Sequence, residues 1–472
     1  MSAATCAACA TARGADVTRV LFDRRSLLVL AALAAAGVGC LRALGPLGLF
    51  VDAALWLLAL PLVLAPLGRA LGREWIAVVF VFASAAFVEN LDDLLHVEHG
   101  LSLALVLLSA AYVVQRWSDA RHIVRSPLVV LLIVFNLQQI ASAWLFANDD
   151  PLQVIQNRLS VLAGLVAAAT LARRPDGARL LAALIVVGGL VSIPIMFDEV
   201  MDPDLVLFSW SAVKGPLRAG GLFGQANAVG CALSFAVAAL LALRARGEVG
   251  RGATLALGGA VGFGVLACAS RGALFVIVAL IAAAAWVAAY RRAQRPPLAS
   301  ALLAAALLAV TLPALAGGIV QQSRRLEELG FEQVERLGEV VLALSGSTAE
   351  LVDDDSSRLK LARGALSLIA ERPLFGRGTG NFRVKATHEL RSHVEFLEIL
   401  GENGVVGLAF YLLFLAALVR ATLRVPPAWR ASAGFVVAAW LANHFDNHNI
   451  LEYRFYLFPV AYACGLATTA AP

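Results

Sequence analysis

Charge is scarce in this chain. Asp, Glu, Lys and Arg make up only 15% of the residues, against about a quarter in a soluble domain. That scarcity excludes an ordinary water-exposed globule. Period-two alternation of apolar and polar residues is also missing, which excludes a transmembrane barrel. Cysteine is sparse, six in all. Cys6 and Cys9 form one Cys-x-x-Cys pair, short of the four ligands a structural zinc takes, in a tail expected to be cytoplasmic and reducing. Cys40, Cys231, Cys268 and Cys464 fall in or beside apolar stretches and read as small packing residues. The glycines at Gly376, Gly378 and Gly380 do not open a helix in a strand–turn–helix unit, so they do not make a nucleotide loop.

What fills the chain is hydrocarbon. Apolar residues are 60% of it and the mean hydropathy is +0.79. Apolar runs of about 20 residues, the length that crosses a bilayer as helix, recur from end to end. Only helices and closed barrels satisfy their own backbone in lipid, so the chain reads as an all-α polytopic membrane protein. About fourteen spans (twelve at the fewest) are expected, at roughly 26–43, 46–68, 74–89, 100–115, 127–147, 158–172, 178–196, 226–243, 252–268, 272–290, 298–320, 403–420, 431–445 and 450–468. The expected division is a tail at 1–25, a bundle at 26–320, a long outer loop at 321–393 and C-terminal spans at 394–472. The tail is polar and carries Arg13, Arg19, Arg24 and Arg25, so the first span is expected to stay as an anchor.

The connecting loops alternate in charge. One set carries Arg69 and Arg73; Arg116, Arg121 and Arg125; Arg173, Arg174 and Arg179; Arg244, Arg246 and Arg251; Arg291, Arg292 and Arg295; Arg420, Arg424 and Arg430. The other carries Glu89, Asp92, Asp93 and Glu98; Asp149 and Asp150; Asp198, Glu199, Asp202 and Asp204; and Asp446. Positive loops face the cytoplasm, so both termini are expected inside. The net charge of +5 reflects this asymmetry and does not argue for nucleic acid. A few basic residues break the rule: Lys214, Arg218 and Arg271 sit in outer connections. Arg271 lies in the very short turn Ala269-Ser270-Arg271-Gly272 between two apolar spans, and a charge near membrane depth usually faces a cavity or a partner.

The long outer segment is not low-complexity. Helices are expected at 321–344 and at about 356–371, the second ended by Pro373 and the glycines after it. Six of the seven histidines, His96, His99, His388, His393, His444 and His448, fall on or near the outer side; His122 alone lies in a cytoplasmic loop. Two clusters, Asp92 with His96 and His99, and His444, Asp446 and His448 with Glu452, contain metal-ligand residue types.

Three stretches together resemble the O-antigen ligase and polymerase superfamily, most strongly over 215–415. They are Arg218-Ala219-Gly220-Gly221-Leu222-Phe223-Gly224-Gln225-Ala226-Asn227, Ser270-Arg271-Gly272-Ala273, and the long loop ending in His393 and Gly404-Val405-Val406-Gly407. The ligases carry a His, then Asn, Ser or Gln, then nine residues and Gly-x-x-Gly. The chain keeps the His, the spacing and both glycines and departs at Val394. The resemblance implies a glycosyltransferase of the bacterial inner membrane, acting at its periplasmic face on a glycan carried by a polyprenyl diphosphate. It implies no metal and no cofactor. The acceptor is lipid A-core for a ligase, a growing glycan for a polymerase, or a protein hydroxyl for an oligosaccharyltransferase. Diphosphate leaves readily but its charge must be held, and the arginine fork does that at any relevant pH; Arg218 and Arg271 are the candidates. His393 is the candidate base for the acceptor hydroxyl. Asn227, Glu395 and His448 complete the candidate substrate-binding residues, and the His448 cluster is read as shaping the acceptor pocket. Two other classes stay open. A secondary transporter would show an internal repeat with matching broken helices, and none is visible. A non-catalytic binder of lipid-linked glycan would use the arginines without the histidine.

Overall fold

The structure is a computed structural model that describes residues 100–146, 151–201, 219–268, 270–293, 364–380, 394–445 and 454–469. Every regular element among them is helical: α1 Gly100–Gln115, α2 Trp117–Val124, α3 Pro127–Leu145, α4 Pro151–Ala172, α5 Pro175–Leu190, α6 Ile193–Met201, α7 Ala226–Ala245, α8 Arg251–Cys268, α9 Arg271–Ala293, α10 364–371, α11 Glu395–Arg424, α12 Pro427–Ala442 and α13 Phe458–Thr469. Among the described residues, six helices are long and apolar enough to cross a membrane. The expected spans at 26–43, 46–68, 74–89 and 298–320, and the expected helix at 321–344, lie outside the described residues.

Local chemistry sets the helix starts. Four helices, α3, α4, α5 and α12, open on proline. At that position the missing N–H would have had no helical partner and the ring pre-sets φ. Ser126 adds a side-chain cap to α3, accepting from the Val129 N–H at 3.3 Å. The expected span at 178–196 falls in one stretch long and apolar enough to cross a membrane, Pro175–Phe197, interrupted by a turn between α5 and α6 where Pro194 lacks the N–H that would continue α5. The expected span at 403–420 starts earlier than its apolar run: α11 begins at Glu395 and is broken at Gly404.

The centre of the bundle is α7, with α5, α8, α9 and α12 packed around it. Its residues Ala228–Leu240 are all buried, and alanine and glycine there let neighbouring backbones approach closely. Large side chains such as Leu107, Leu145, Leu255 and Phe275 are exposed on the outside. An apolar exterior of that kind suits lipid rather than water.

The basic connections meet at one end. Asp119, in the first turn of α2, takes Arg173 and Arg174 from the α4–α5 turn, each at 2.8 Å. Glu248, between α7 and α8, takes Arg179 at 2.9 Å and Arg246 at 3.6 Å. The Arg246 guanidinium lies 3.4 Å from the ring centre of Trp429 at the start of α12, a cation–π contact. Four loops that the charge alternation assigns to one side are thus tied together.

Candidate active site

At the opposite end, the described candidate residues, Asn227, Arg271 and Glu395, fall in two neighbouring groups. The first surrounds the start of α7. A helix-like turn, Gly221–Phe223, leads into it. One oxygen of Glu199, on α6, accepts the N–H groups of Gly220 and Gly221, both at 2.9 Å. Ser192 Oγ accepts the Leu222 N–H at 3.3 Å. The Ala219 N–H donates to the Ala267 carbonyl at 3.1 Å. Arg218 itself lies outside the described residues, but the residue after it is held against the end of α8, four residues before Arg271. Arg271 opens α9, capped by Ser270, whose Oγ accepts the Ala273 N–H at 3.4 Å. The α7 backbone presses on the same turn: a Cβ at Gly230 would lie 2.7 Å from that of Ser270. Asn227, three residues earlier on α7, is partly buried. The first turn of α9 leaves N–H groups without helical partners, and such a helix start favours anions.

The second group is the broken helix α11. Gly404 has φ 63° and ψ −167°, a region open in practice only to glycine. The break frees carbonyls before it and N–H groups after it, and the turn after α10 takes up both. Arg377 and Gly378 donate to the carbonyls of Gly401 and Glu402, each at 2.9 Å. Val405 and Val406 donate to those of Pro373 and Leu374, at 2.8 and 3.2 Å. Glu402 Oε1 accepts the Gly380 N–H at 2.7 Å. Asn403 Oδ1 accepts from Thr379 at 3.0 Å and from Gln138 of α3 at 3.2 Å. The fit is reciprocal: a Cβ at Gly376 would lie 2.3 Å from the Glu402 carbonyl, and one at Gly404 would lie 2.2 Å from that of Leu374. The Gly-rich run is therefore a plug for a helix break.

On the half-helix before the break, Glu395, Glu398 and Glu402 share one face at spacings of three and four, with 3%, 4% and 4% exposure. Carboxylates carried into a span at such burial commonly mark function. His393 lies outside the described residues, one residue before the N-cap, Val394. His448 also lies outside them.

The turn Asn443–Phe445 after α12 joins the two groups. Asn443 donates to Ser234 of α7 at 2.8 Å. His444, fully buried, faces the Trp440 carbonyl with Nδ1 at 2.9 Å and the Tyr411 hydroxyl of α11 with Nε2. A carbonyl only accepts, so Nδ1 carries the proton and Nε2 accepts from Tyr411. The Phe396 ring packs 5.6 Å from that of His444. Both His444 nitrogens are engaged within the protein, so His444 is a strut between α12 and α11. Sequence reasoning missed this pair, and it also missed Glu199. Nothing in residue spacing pairs Tyr411 with His444. Glu395, Glu398 and Glu402 did carry a signal, acidic residues at helical spacing running into an apolar span.

Residues 253–412 match the family model described as O-antigen ligase. The match supports the O-antigen ligase superfamily for this chain, and with it a multi-pass membrane protein of a glycan ligase or polymerase family. It takes in Arg271, the plugged break and the His393–Gly407 stretch of the ligase-like region. Arg218 and Asn227 precede it and His448 follows it. No curated protein matches the chain.

Proposed function

We propose that the chain transfers a polyprenyl-diphosphate-linked glycan to an acceptor hydroxyl at the outer face of the cytoplasmic membrane, as an O-antigen ligase does. His393 takes the proton from the acceptor hydroxyl. The freed oxygen attacks the anomeric carbon as the carbon–oxygen bond to diphosphate breaks. The departing charge is held by Arg218 and Arg271, beside the open first turn of α9. Asn227, Glu395 and His448 line the bound substrates. The scheme uses no metal and no cofactor. Attack on one face with departure from the other inverts the anomeric configuration.

The observation that best supports this reading is the Ala219–Ala267 backbone bond, which ties the chain next to Arg218 to the helix end just before Arg271. Two guanidinium groups hold a diphosphate better than a lone charge does.

The test is a deletion strain examined by lipopolysaccharide gel. Loss of all O-chains with accumulation of lipid-linked polymer is expected. Core carrying one repeat would indicate a polymerase, and normal lipopolysaccharide with altered glycoproteins would indicate protein transfer. NMR of the product's anomeric centre checks the mechanism, since retained configuration would refute single-step displacement.

A further inference from the structure

The end of the bundle far from the candidate active site contains a cavity of about 640 Å³. It lies where α3 begins and α11 and α13 end. Its rim carries His122, Arg125, Arg420 and Arg424. Its wall is apolar, with Leu128 and Leu131 of α3 facing Ala417 and Ala421 of α11. The alanines make the room: they are one turn apart on the same stretch of α11 as the two arginines.

Some of the cations at this end have acidic partners. Arg173 and Arg174 are matched by Asp119, and Arg179 and Arg246 by Glu248. Arg125, Arg420 and Arg424 form no ion pair among the described residues. The local field is positive: His122 is held below its ordinary pKa, first by Arg173, then by burial and Arg121, against an opposing pull from Asp119. A bound anion would relieve that repulsion. Cations at the mouth and hydrocarbon inside match an amphiphile with an anionic head. Because α3 starts at Pro127 and α11 stops at Arg424, the rim lies where apolar helix gives way to polar loop, the level of lipid phosphates.

We propose that this cavity holds the headgroup of an anionic glycerophospholipid of the cytoplasmic leaflet, with Arg125, Arg420 and Arg424 on its phosphate and an acyl chain along Leu128 and Leu131. Basic pockets between spans on this side suit such headgroups, and the arginine fork suits the phosphate. The proposal rests on the membrane orientation read from the charged loops and is independent of the transfer reaction.

The purified full-length protein tests it by native mass spectrometry with phosphatidylglycerol or phosphatidylcholine of identical acyl chains. Wild type should retain phosphatidylglycerol in preference. Arg420→Gln with Arg424→Gln should weaken that retention about tenfold or more. Arg251→Gln, an exposed arginine at the start of α8 outside the cavity, should not. Equal retention of both lipids, or an equal loss in the control variant, would overturn the site. Displacement of the lipid by millimolar inorganic phosphate would reassign it to a soluble anion. A photoreactive phosphatidylglycerol on the unaltered protein avoids any folding defect. It should label peptides covering 125–131 and 416–424, and labelling confined to other peptides would overturn the proposal.

Discussion

Arg218 and Arg271 carry the electrostatic part of the proposed reaction, and His393 the proton. Arg218→Ala and Arg271→Ala are each expected to abolish transfer with expression intact. Lysine at either position should restore it only in part, because a point charge does not reproduce the planar fork. Near-normal transfer by either alanine variant would remove that residue from the site. His393→Ala should lower the rate at least about a hundredfold, the low end for general-base catalysis. His388→Ala, outside the Gly-Val-Val-Gly spacing, should be much milder. Equal tolerance of both would leave His393 with no catalytic claim, and donor binding by the unaltered protein without measurable transfer would favour a non-catalytic binder. Arg271 was legible as a charge between two apolar runs. The Tyr411–His444 strut was not, because a pair thirty-three residues apart across a helical turn leaves no trace in periodicity. Glu199 was visible only as one of several outer acidic residues. Its role as a clamp for two backbone N–H groups depends on where the turn after it folds back.

The elements show why His393 is followed by so rigid a sequence. The half-helix from Glu395 to Asn403 is held by the plug at 373–380, so the chain leaving His393 enters an anchored segment. Gly404→Ala would force a side chain into a glycine-only conformation and against the Leu374 carbonyl. A left-handed conformation alone costs about 1–2 kcal/mol, so a loss above ~2 kcal/mol is expected, with transfer falling alongside. Gly434→Ala, in α12 with open space around it, should be neutral or stabilising by up to about 1 kcal/mol. Thermal unfolding in detergent compares the two, and equal midpoints would mean that the plug carries little energy. The departure at Val394 also has a local meaning, since that residue is the N-cap of α11 and provides no side-chain cap. Val394→Ser or Val394→Asn should stabilise the helix start by about 0.5–2 kcal/mol, read in the same unfolding experiment; no gain would mean that the first-turn N–H groups already have other partners. The spacing of the glycines was legible, and so was the tight turn. That the turn fills a helix break was not, because the apolar run after Gly404 reads as the start of a span and leaves the acidic half-helix outside it.

At the scale of the molecule, charge and hydrocarbon divide the work. Apolar runs of helix length pointed to the spans, and the alternating loops gave an expected direction for each. Alternation alone could not say that Asp119 and Glu248 would tie four basic connections together, since that depends on which helices become neighbours in the bundle. Those ties lie at the end of α11 and α12 that carries Arg424 and Trp429, away from the break at Gly404. The orientation reading then makes a sharp prediction: positions 292 and 424 face the cytoplasm and position 350 faces outward. Arg292→Cys, Arg424→Cys and Glu350→Cys, each in a background cleared of the six native cysteines, can be exposed to an impermeant maleimide in intact cells. Only Glu350→Cys should react before the membrane is opened, and all three afterwards. Reaction at 292 or 424 but not at 350 in intact cells would reverse the orientation. The outer site for His393 and the cytoplasmic-leaflet lipid site would then both fall, because the two proposals share that one assumption and no other.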